Sequence, residues 1–189
     1  MGKKLWVNNM RKTIRKYFWA WQFDKEEKWL TEMASIGLVL DSVDFGKYTF
    51  KECLPGEYSV RLELLENLPN HVESQQYIRF LEDTGVQYVG SIIRWVYFKK
   101  KTEQGEFDLY SDNSSRIKHL SRIIFLILIP AFFNVFIGIS NLGLIHGRLS
   151  TIPVGVGLLN LALGIFLLLG CLSLYKKRRK LVKLQNVFE

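Results

Sequence analysis

The side chains best suited to hold a metal or attack a substrate are three histidines, His71, His119 and His146, and two cysteines, Cys53 and Cys171. They are scattered. None of them shares the short ligand spacing that a zinc site needs, so no metal and no cofactor is expected. Gly46-Lys47-Tyr48-Thr49 sets a lysine near a hydroxyl but lacks the glycine spacing of a phosphate loop, and neither Gly-x-Ser-x-Gly nor His-Glu-x-x-His occurs. The acidic pairs Glu26-Glu27 and Glu82-Asp83 fall on predicted helices away from their apolar faces, where solvated carboxylates are expected. No nucleophile can be paired with a base, and the residues point to binding rather than catalysis.

Aromatic residues at period two are the stronger signal. Tyr17, Trp19 and Trp21 fall on one face of a predicted strand, and Trp95 and Tyr97 on one face of another. With Arg61 and Arg94 nearby, the candidate partner-binding residues are Trp19, Trp21, Arg61, Arg94, Trp95 and Tyr97. Stacked rings beside arginines suit single-stranded nucleic acid, but the charge distribution argues against it. The formal charge of +8 is carried by the chain ends. Residues 1–22 hold six basic and no acidic side chains, residues 23–113 ten basic and seventeen acidic, and residues 114–189 ten basic against Glu189 alone. A polyanion needs lysine and arginine on the reading surface, so no nucleic-acid partner is expected. An aromatic face on an acidic domain fits a protein partner or the membrane headgroup region.

The elements that must position these residues follow from local pattern. Ile14–Trp21 is aromatic and β-prone and predicts a first strand. Asp24 with Glu27 has capping-box spacing, and the helix it opens aligns Trp29, Leu30, Met33 and Ala34, with Gly37 at its end. Leu38–Phe50 predicts a strand interrupted at Asp41-Ser42 and at Gly46, with a bulge or bend, and Leu54-Pro55-Gly56-Glu57 a turn. Tyr58–Leu64 alternates, with Tyr58, Val60, Leu62 and Leu64 on one face and Ser59, Arg61 and Glu63 on the other. A second helix carries Tyr77, Ile78, Phe80 and Leu81 and closes at Gly85. Val86–Phe98 is the longest β-like stretch, and Phe107–Tyr110 suggests an edge strand. The order β-α-β-β-α-β is the ferredoxin-like split βαβ arrangement, an α+β fold in which two helices cover one face of a four-stranded antiparallel sheet. No internal repeat or low-complexity segment is expected.

The last third of the chain sets the location. Ile123–Ile145 and Ile152–Tyr175 are apolar runs without a charged side chain, joined by six residues. About 20 apolar residues span a bilayer as helix, so this reads as a transmembrane helical hairpin. Arg116, Lys118 and Arg122 precede it and Lys176-Lys177-Arg178-Arg179-Lys180 follow it, while the connecting turn carries Arg148 alone. Basic residues concentrate on the cytoplasmic side, which predicts cytoplasmic termini. The expected organisation is a cytoplasmic α+β domain over residues 1–112, a juxtamembrane linker over 113–122, the hairpin over 123–175 and a basic tail over 176–189. Within the spans, Asn134, Gly138, Gly157, Asn160 and Gly164 lie at helical spacings of three and four, together with Pro130, Asn141 and Cys171. They predict a helix–helix seam, inside one hairpin or between two chains.

Several segments resemble a family of Gram-positive bacterial membrane proteins catalogued as a domain of unknown function. They are Phe23-Asp24-Lys25-Glu26-Glu27-Lys28-Trp29-Leu30, Pro55-Gly56-Glu57-Tyr58, Phe80-Leu81-Glu82-Asp83-Thr84-Gly85-Val86 and Arg94-Trp95-Val96-Tyr97-Phe98. The resemblance covers roughly residues 10–122. It implies a C-terminal membrane segment and genes placed beside PadR-type regulators, hence regulated expression and a role in envelope stress. It carries no catalytic residue. The function expected is a membrane-anchored cytoplasmic sensor or adaptor, whose partners are membrane lipid and a protein or a second copy of the chain. An immunity or transporter-accessory role is the alternative, and a lipid-headgroup enzyme the third.

Overall fold

In the computed structural model the described residues are 11–110, 112–142 and 151–188. The chain divides into two units, Met1–Ser111 and Asp112–Glu189. The first is mixed α+β, with two three-stranded antiparallel sheets; the second is two long apolar helices.

In the first unit the order is β1 (Lys12–Arg15), α1 (Phe23–Ser35), β2 (Leu38–Asp44), β3 (Lys47–Glu52), β4 (Tyr58–Leu64), α2 (Val72–Asp83), β5 (Gln87–Ile92) and β6 (Trp95–Lys101). The two long β stretches of the sequence are hairpins, folded at Phe45-Gly46 and at Ile93-Arg94. Among the described residues there are therefore six strands where four were expected, ordered β1-β3-β2 in one sheet and β4-β6-β5 in the other. The first strand is shorter than its aromatic pattern suggests. β1 pairs with β3 only from Lys12 opposite Phe50 to Arg15 opposite Lys47, where β3 begins and the ladder runs out of partner. Trp19 and Trp21 thus lie beyond it, at a helical turn over Ala20–Gln22. No strand forms at 107–110; Phe107 is instead buried beside α2 and β6.

The six strands are a βαββ unit used twice. Forty-eight residues separate Gly37 from Gly85, the left-handed glycines at the ends of α1 and α2, with φ of 89° and 86°. The same interval separates the β-bulge at Leu40/Ser42 from that at Tyr88/Gly90. This corrects the expectation of no internal repeat: the repeat lies in backbone and register rather than in residue types, since Leu40 corresponds to Tyr88 and Gly46 to Arg94. β2 of one repeat runs beside β5 of the other, and a Cβ on Gly90 would stand 3.4 Å from Val43.

Two cores result, on opposite faces of β6. Leu30 of α1 joins Leu40, Tyr48, Phe50, Val60, Leu62 and Tyr97 in the first. Ile78 and Leu81 of α2 join Leu65, Val86, Val96, Phe98 and Phe107 in the second. Alternation along β6 sends Tyr97 to one core and Val96 and Phe98 to the other. The expected layer with both helices on one face does not form. β4 shows why: Val60, Leu62 and Leu64 are buried as the alternation predicts, but so is Glu63, from the face assigned to solvent.

The second unit opens with Asp112, whose carboxylate accepts the Ser115 N–H at 2.6 Å as an N-cap. Helix α3 (Asn113–Asn141) then runs unbroken through the segment read as a linker, and α4 (Thr151–Phe188) continues through the basic tail. Both are long and apolar enough to cross a membrane. They pack antiparallel, with Cys171 Sγ facing the Ile124 carbonyl and Arg178 Nε donating to Ser121 Oγ at 2.8 Å.

Candidate functional site

A buried acid of the first unit lies between the repeats. Glu26 is on α1 in line with Leu30 and Ala34, at intervals of four, so it belongs to the stripe that enters the core. It is 7% exposed. Its Oε1 accepts the phenol of Tyr48 at 2.7 Å and the phenol of Tyr97 at 2.6 Å. Glu26 and Tyr48 come from the first repeat and Tyr97 from the second, so this one oxygen joins them. Burial raises the Glu26 carboxyl above its ordinary value, and the two phenols pull in the opposite direction. Both phenols are themselves pushed up, by burial and then by the carboxylate.

Rings continue outward from the acid. Tyr48 meets Trp29 edge-on at 5.0 Å, Trp29 meets Phe50 at 5.6 Å, and Phe18 packs on Trp29 at 5.7 Å. The Lys16 ammonium lies 4.4 Å from the Trp29 ring and 5.1 Å from that of Phe18, a cation held on aromatic faces.

Glu27, the next residue, lies at the edge of the same layer. Its Oε1 is 3.6 Å from Arg61 Nε and 3.4 Å from the Leu62 N–H. Burial lifts its carboxyl to about 7, against the pull of Arg61. A buried base lies against β2. Lys99 of β6 donates to the Leu40 carbonyl at 2.8 Å, at the first repeat's bulge, and burial with the neighbouring Lys51 lowers it to about 8.

The residues singled out by the sequence are dispersed among these features. Tyr97 is 3% exposed and serves the Glu26 cluster. Trp95 packs against the first core and stacks on Phe23 at 5.9 Å. Arg94 grips the Leu65 carbonyl through Nε and Nη2, fastening the chain after β4. Arg61 spans from Glu27 to the Phe107 ring. Trp19 and Trp21 stack nearly parallel at 5.4 Å, with Trp19 the more exposed. The six residues do not form one open face. The sequence reading missed Glu26, Tyr48 and Lys99. Glu26 had been assigned to solvent because it is charged, although its spacing to Leu30 and Ala34 marked it as inward-facing.

In the second unit the glycines are the seam. A Cβ on Gly138 would stand 2.7 Å from Leu161, one on Gly164 2.6 Å from Val135, and one on Gly157 3.0 Å from the Gly138 carbonyl. Only glycine admits this approach. Asn134 and Asn160 do not bridge the helices. Each donates to its own helix, Asn134 to the Pro130 carbonyl at 2.8 Å and Asn160 to that of Val156 at 3.0 Å. Among the described residues no three His, Cys, Asp or Glu side chains gather as a metal site would require.

No curated protein and no solved structure matches the chain. The family described as a protein of unknown function, DUF2812, matches residues 22–132, from the turn before α1 into the apolar part of α3. That match spans more than half of the sequence, and the chain belongs to the DUF2812 family.

Proposed function

We propose that this is a membrane-anchored binding and regulatory protein of the bacterial cell membrane, its α+β domain and both termini in the cytoplasm. The observation that carries the reading is the single Glu26 oxygen shared by Tyr48 and Tyr97. A buried carboxylate held by one phenol from each repeat ties domain geometry to whatever competes for that oxygen. A ligand donor or a positive charge that draws Glu26 away from either phenol loosens one repeat from the other. That is the behaviour required of a sensor, and it needs no bond to be made or broken. The basic ends of α3 and α4, brought together at Ser121 and Arg178, support the cytoplasmic orientation. The regulated expression implied by the family resemblance fits a sensor of envelope condition.

Native mass spectrometry of the full-length protein from gently solubilised membranes tests the reading. Wild-type protein should retain a ligand or partner that Glu26→Gln loses, while both resist protease equally. Equal retention by the two proteins, or turnover of a lipid headgroup by purified protein, would overturn it.

A further inference from the structure

The glycine seam and the asparagines of the membrane hairpin were expected to form one face, and the structure separates them. Asn134 lies three residues after Ala131 and four before Gly138, both of which line the seam. Asn160 lies three after Gly157 and four before Gly164. At 3.6 residues per turn, each asparagine is therefore rotated about 50° from the seam, in the same sense along its own helix. The helices are antiparallel, so equal rotations about opposed axes bring both side chains to the same side of the hairpin.

Their depths are also similar. Gly138 faces Leu161 and Gly164 faces Val135, which puts Asn134 and Asn160 about five residues, ~7.5 Å, from each other along the axes. The opposite side differs in kind: there Leu128, Phe132, Val135 and Leu168 line a wholly apolar groove. The hairpin has one face for lipid tails and one face with two amides in its middle.

Each amide spends one N–H on a carbonyl of its own helix, and among the described residues neither Oδ1 has a partner. Hydrocarbon offers none. An asparagine is both donor and acceptor, so the residue that satisfies it best is another asparagine at the same depth. A second copy of this chain, related by a two-fold axis along the membrane normal, supplies that by symmetry. We infer that the protein self-associates in the membrane through the face bearing Asn134 and Asn160, the glycine seam remaining inside each hairpin. The inference rests on the hairpin spanning the bilayer but not on Glu26 being a sensor site.

Cross-linking in native membranes tests it, in full-length protein carrying Cys53→Ser and Cys171→Ala. Every variant is first shown to stay in the carbonate-washed membrane pellet, and loss there is a failure of anchoring rather than of this proposal. Ile137→Cys and Leu163→Cys, beside the asparagines, should each give a disulfide-linked species of twice the chain mass. Leu128→Cys and Leu168→Cys, on the grooved side, should stay monomeric. Adding Asn134→Leu with Asn160→Leu should weaken the dimer signal about fivefold or more, as loss of interhelical amide bonding would. An intrachain cross-link between Ser121→Cys and Arg178→Cys should persist, reporting an intact hairpin. Equal cross-linking on both sides, a product of any other mass, no product at all, or indifference to the leucines would overturn the inference.

Discussion

Glu27 and Lys99 change stability with pH in opposite senses. The Glu27 carboxyl rises from 4.5 to about 7 on folding. Between those values the folded chain holds a proton that the unfolded chain has released, so stability falls as pH rises through this window. The shift corresponds to ~3 kcal/mol at most. Glu26, also raised, acts in the same sense. Lys99 falls from 10.5 to about 8, so above pH 8 the unfolded chain holds the extra proton and stability recovers as pH rises. Denaturation midpoints of the full-length protein in micelles should therefore be lower near pH 7.5 than at pH 5.5 or 9.5. Glu27→Gln should flatten the acid side, and a maximum near neutrality would contradict the burial of these groups. None of this was legible from residue types alone. An acid or a lysine reads as surface until its partners are known, and those of Glu26 lie 22 and 71 residues away.

At the level of elements, the two hairpins of the repeat turn on opposite chemistry. In Phe45-Gly46 the left-handed residue is the second, Gly46, with φ 64°. In Ile93-Arg94 it is the first, Ile93, with φ 57°, a conformation a β-branched residue adopts only under strain. Ile93 is largely exposed, so Ile93→Gly removes the strain and costs no packing. It should raise stability by ~0.5–1 kcal/mol, the strain relieved less the entropy of glycine. Gly46→Val should lower it by ~2 kcal/mol or more, because the new side chain is left-handed and runs into the Tyr17 ring. Equal midpoint shifts of the same sign would refute the assignment of the two turns. The helices, the Tyr58–Leu64 strand and the β character of both long stretches were legible, because periodicity and glycine stops mark them. The fold at Ile93-Arg94 was not, since neither residue announces a turn. The repeat was hidden for the same reason, being written in φ angles and bulges.

On the scale of the whole molecule, the apolar runs were the clearest part of the sequence, because length without charge leaves few alternatives. The proposed orientation rests on the basic flanks. A reporter active only outside the cell should be silent when fused after Glu189 and active when the chain is cut after Leu142, past one span rather than two. The reverse pattern would place the domain outside. Duplication of the βαββ unit also bears on how the domain is born. By the time Glu52 leaves the ribosome, the strands β1, β3 and β2 are complete and can pair, while Glu26 has Tyr48 alone. Its other phenol, on Tyr97, is not yet synthesised. The carboxylate stays hydrated until the second copy arrives, so the nascent first half waits, folded in outline, for the residue that closes it.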